Sequence, residues 1–104
     1  MSDRYSEAPF LRFVDAWVLK AIGHLDDATD AYCTAMVPSL EKSFGIKGSW
    51  PDIVAKQMNF APDLPAQILR IWAEGKARYE EGNGEPADPV QFAMIFVDRN
   101  FAQR

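Results

Sequence analysis

The chain has 104 residues, 48% of them apolar and 25% charged, and carries a formal net charge of −4 from 11 basic and 15 acidic side chains. That length suits one domain, and the composition excludes general disorder. The acidic balance argues against nucleic acid or an anionic membrane as the main ligand.

The single cysteine, Cys33, rules out an intramolecular disulfide. Charged residues interrupt the N-terminal apolar stretch, so no signal peptide is read there. The longest uncharged run, Ala31 to Leu40, is far short of the ~20 residues that a spanning helix needs. A soluble, cytoplasmic protein is expected. Three Trp, three Tyr and seven Phe are a large apolar load for so small an interior, which suggests that some of it faces a partner.

Ser6 is a candidate N-cap, with Glu7 and Pro9 in the first turn of the helix that follows. Phe10, Phe13, Val14, Trp17, Val18, Ala21 and Ile22 then recur at helical spacing. Lys20 before Gly23 marks an end, and Asp26, Asp27 and Asp30 mark a new start, so two helices are expected, about 7–23 and 26–44. Pro38 should kink the second or end it early. Ser49-Trp50-Pro51-Asp52 matches a capping box and opens a short helix, about 51–60, that buries Ile53 and Val54. Ala61-Pro62-Asp63-Leu64-Pro65 stops one helix and starts the next, about 64–81, whose apolar stripe is Leu64, Ile68, Ile71, Trp72, Gly75 and Tyr79. After the loop Gly82-Asn83-Gly84-Glu85-Pro86, Asp88-Pro89-Val90-Gln91 caps a fifth helix, about 89–101. The fold expected is an all-α, compact bundle of four to five helices.

No cluster has the strength of a catalytic, metal or nucleotide-binding motif. His24 with Asp26, Asp27 and Asp30 could ligate a divalent metal, but the simpler reading is that the acids complement a helix start. Asp15, Glu74 and the pair Glu80-Glu81 could do acid–base work, yet read as ordinary helix-face carboxylates. Glu80 and Glu81 also sit near a helix C-terminus, where negative charge is unfavourable. Cys33 falls mid-helix and reads as a buried thiol.

The helix pair across 51–81 has the lengths of a helix-turn-helix, with Lys56, Gln67, Arg70, Lys76 and Arg78 as its DNA-facing candidates. Trp17 and Trp72 fall on apolar stripes, whereas Trp50 at a helix entrance is harder to bury. The leading expectation is therefore a non-catalytic protein–protein interaction module without cofactor. Its contact residues would be Trp50, Ile53, Met58 and Phe60, and its partner another protein or a second copy of the chain. The alternatives are a DNA-binding regulator using 51–81 and a metal- or small-ligand-binding bundle.

Overall fold

The computed structural model describes residues 10–101. Six helices and no strand occur among them: α1 (Leu11–Ala21), α2 (Asp27–Ala35), α3 (Val37–Phe44), α4 (Trp50–Met58), α5 (Leu64–Asn83) and α6 (Pro89–Asn100). The proposed cap at Ser6 and helix start at residue 7 lie outside the described residues. None of the described helices is long and apolar enough to cross a membrane.

The helix starts follow local chemistry. Asp26 is the N-cap of α2, where one carboxylate oxygen accepts from the Thr29 amide at 3.0 Å and the other from the Thr29 hydroxyl at 2.7 Å. Those two bonds, the hydroxyl's first, hold the Asp26 carboxyl below the usual carboxylate range. Asp88 caps α6 by accepting from the amides of Val90 at 2.9 Å and Gln91 at 3.4 Å. Ser49 is the N-cap of α4, but its hydroxyl makes no capping bond, so the capping box expected there is not formed.

Six helices stand where four to five were expected because Pro38 divides the expected 26–44 helix. Met36 forms the joint between α2 and α3, and Pro38 takes the first turn of α3, where a missing N–H costs nothing. Gly23, at φ +78°, ends the α1 segment as expected.

α1 is the axis of the molecule, packing against α6, α5, α4 and α2, while α3 joins α4 to α2. The buried side chains form one cluster drawn from every helix, with Val14, Val18, Ile53, Val54, Ile68 and Val97 at its centre. The aromatic load is largely spent inside. Ring contacts run without interruption from Trp17 to Phe60 (4.5 Å), Phe101 (4.8 Å), Phe96 (5.6 Å), Phe92 (5.9 Å), Trp72 (5.2 Å) and His24 (5.4 Å). Such pairs each add about 0.5–1.5 kcal/mol beyond the area they bury.

α5 alone outruns the body. Ile68 and Trp72 are its buried residues, and 73–83 contribute none. At 1.5 Å per residue, this leaves an arm of about 16 Å. The radius of gyration is 14.3 Å, above the ~13 Å of a compact chain of 100 residues.

Candidate functional site

The residues expected to contact a partner are buried or half-buried in the structure. Trp50 is 2% exposed, and its indole N–H donates to Asp30 Oδ1 at 2.8 Å, tying the start of α4 to α2. Ile53 is fully buried, and Met58 and Phe60 are half-buried against the core. Phe60 lies between Trp17 and Phe101. The burial of Trp50 has a simple cause. A tryptophan at a helix entrance can turn its ring inward when a carboxylate on a neighbouring helix takes its N–H.

The metal candidates are not gathered either. No group of three or more His, Cys, Asp or Glu side chains able to hold a metal occurs among the described residues. Asp26 is committed to its cap, Asp30 to Trp50, and His24 lies edge-on to Trp72. The hollow of about 190 Å³ beside them is lined by Lys20, Gly23, Leu25 and Asp30. Cys33 is fully buried, and burial, then the Asp30 charge, push its thiol up to about 11.

The basic candidates diverge. On one helix, residues two apart point about 160° from each other, so Lys76 and Arg78 cannot share a face of α5. Lys76 is moreover bound to Glu80 at 3.1 Å. Lys56 is on α4, whose main packing partners are α1 and α3 rather than the α5 that a helix-turn-helix would pair it with. Gln67 and Arg70 are exposed, and the Gln67 amide is held by Asp63. Of the acid–base candidates, Asp15 is buried on α1 and partnered there, while Glu74 and Glu81 are exposed.

The structure instead opens a groove where α5 runs past the body and faces α6. It holds about 200 Å³ and is lined by Trp72, Gly75, Lys76 and Tyr79 from α5, and by Ala87, Asp88, Gln91, Phe92 and Ile95 on the other side. Phe92 and Trp72 form its aromatic floor, in contact at 5.2 Å. Tyr79 and Ile95 stand at its edges, 45% and 48% exposed. Ile71, four residues before Gly75, is 46% exposed. Ile71 and Tyr79 were expected in the core stripe of α5. Tyr79 lies outside it because no residue of α5 beyond Trp72 is buried, and Ile71, between the buried Ile68 and Trp72, is turned about 100° from Trp72.

One end of the groove is clipped shut. Glu80 accepts from Lys76 and, across the loop, from the Ala87 amide at 3.2 Å. The Ala87 amide first, and then Lys76, hold the Glu80 carboxyl below the usual carboxylate range. This clip explains why Glu80 is tolerated near the end of α5. Gly75 sits on the open stretch, and a Cβ built on it would meet nothing within 4 Å. A glycine in a helix interior costs about 0.5–1 kcal/mol relative to alanine, and no close approach offsets that here.

A second hollow, about 330 Å³, lies over Trp17 between Lys20, Ala21, Pro51 and Pro65. None of the exposed large apolar side chains borders it. The α5–α6 groove therefore combines shape with exposed apolar chemistry. Sequence periodicity missed it by treating Gly75 and Tyr79 as part of a helical core stripe. The available signal was the unexplained glycine within the α5 stripe. Comparison with models of known protein families, with characterised proteins and with solved structures finds no match to this chain.

Proposed function

We propose that this chain is a small helical protein-interaction module that receives a segment of a partner protein in the α5–α6 groove. The observation that carries the reading is the groove itself: an aromatic floor of Trp72 and Phe92, flanked by half-exposed Tyr79 and Ile95, beside a helix-interior glycine that leaves the space open. A core that has already absorbed most of the aromatic residues still leaves these apolar side chains in water. Exposed apolar side chains bordering a concavity suit docking rather than folding. About 200 Å³ is below the 300–1,000 Å³ of ordinary small-ligand pockets and suits one or two anchoring side chains. An amphipathic helix laid between α5 and α6 would restore the packing that the arm of α5 lacks.

Site-specific photo-crosslinking tests this. A photoreactive side chain is placed at Ile95 on the groove, and in a second protein at Val90. Val90 is equally exposed on α6 but turned about 140° away. A discrete adduct from position 95 that Gly75→Leu abolishes supports the reading. Equal labelling from both positions, or an adduct indifferent to Gly75→Leu, refutes it.

A further inference from the structure

The hollow of about 330 Å³ over Trp17 has the chemistry of a small-molecule site. Its volume lies within the 300–1,000 Å³ of ordinary ligand pockets, unlike that of the α5–α6 groove. Trp17, Lys20 and Ala21 form one wall from a single face of α1, at steps of three and four residues. Pro51 and Pro65 close it from the first turns of α4 and α5, both of which pack on α1.

Trp17 is 7% exposed, yet its indole N–H has no hydrogen-bond partner among the described residues, in contrast to that of Trp50. Nor is this N–H sealed in the core, since no fully buried side-chain polar atom among the described residues is left unpartnered. An unbonded donor on a ring that is otherwise inside therefore reaches solvent, and the ring lines the hollow. Three residues on, Lys20 is exposed and joins no ion pair among the described residues. It also borders the adjoining hollow with Asp30, whose Oδ1 is taken by the Trp50 indole. Ala21, Pro51 and Pro65 carry no polar side-chain atom, so the lining side chains offer two donors and no acceptor. Asp52 and Asp63 belong to the same two helix starts but do not line the hollow, and the Asp63 carboxylate is held by Gln67.

We propose that this hollow binds a small aromatic carboxylate. Its carboxylate accepts from Trp17 Nε1 and from the Lys20 ammonium, and its ring lies against the indole and the two proline rings. An anion that only accepts hydrogen bonds matches side chains that only donate, and the bond from Lys20 is charge-assisted. A planar apolar body suits a slot walled by an indole and two prolines. The site shares no residue with the α5–α6 groove, so the two readings stand or fall separately.

The test uses the full chain labelled with ¹⁵N, and two probes with one ring system, 2-naphthoate and the neutral 2-naphthamide. The indole N–H groups of the three tryptophans give separate NMR signals. Naphthoate is expected to move the Trp17 indole signal saturably, to leave that of Trp50 in place, and to bind about tenfold more tightly than the amide. Lys20→Gln, at an exposed position, should weaken naphthoate about tenfold and leave the amide unaffected, while Lys20→Arg should keep the preference. A Trp17 signal that stays in place at about 5 mM naphthoate overturns the site. Equal affinity for acid and amide overturns the carboxylate, and movement of the Trp72 signal in place of Trp17 puts the ring in the α5–α6 groove and overturns this hollow as its site.

Discussion

Replacing Gly75 by alanine should make the protein more stable. Position 75 is well inside α5, eight residues before its end at Asn83, and a Cβ there meets nothing within 4 Å. The substitution therefore neither fills a packed space nor creates a clash, which leaves the backbone effect to decide its sign. Alanine in a helix interior is favoured over glycine by about 0.8–1.0 kcal/mol, because glycine has more freedom to lose on folding. For a chain of this size, such a gain raises the melting temperature by about 3–8 °C. Thermal unfolding and urea titration, followed by circular dichroism, measure it, with a higher urea midpoint and an unchanged denaturant slope. Gly82→Ala is the internal control, since its Cβ also meets open space but it does not line the groove. Gly75→Leu should keep part of the gain while filling the groove, separating stability from docking. A loss of stability in Gly75→Ala would refute the reasoning. It would mean that the space beside Gly75 is occupied, and the open groove would fall with it.

Further outcomes follow from particular contacts. Trp50→Phe removes the indole N–H from Asp30 and part of a buried ring, and should cost about 2–4 kcal/mol in urea unfolding. A loss below about 0.5 kcal/mol would deny that this bond ties α4 to α2. Cys33 should resist alkylation at pH 8 until the protein unfolds. Because its thiol is raised to about 11 in the folded state, its share of stability is intact below the thiol's ordinary range and declines as pH rises through about 11. Rapid labelling of folded protein would refute the burial. Glu80 runs the other way. Its carboxyl is lowered in the fold, so its contribution is present above the ordinary carboxylate range and is lost as pH falls through the lowered value. Protection of the Ala87 amide, its exchange rate relative to the intrinsic rate at the same pH, should fall at that acid edge, and Glu80→Gln should remove this pH-dependent loss of protection.

How far the sequence was legible depends on the range of the physics involved. Helix starts at Asp26 and Asp88 were readable because a cap is a bond between residues two or three apart. The end of the first helical stretch was readable from Gly23, whose positive φ is a local property. Pro38 announced a disturbance, but whether it would kink one helix or separate two depended on how α2 and α3 pack. Trp50 illustrates the limit. Its neighbours in sequence suggest an exposed anchor, and its burial follows from Asp30, twenty residues away.

By itself, then, the sequence determined the helical class, most helix boundaries and the presence of a buried core, because these follow from side-chain periodicity and short-range hydrogen bonds. The tertiary structure alone decided which apolar stripes found a partner. Periodicity marks a face as apolar without saying how far the body extends beneath it. α5 carries its stripe past Trp72 to Gly75 and Tyr79, where none of the described residues of the helix is buried, and that overrun, facing α6, makes the groove.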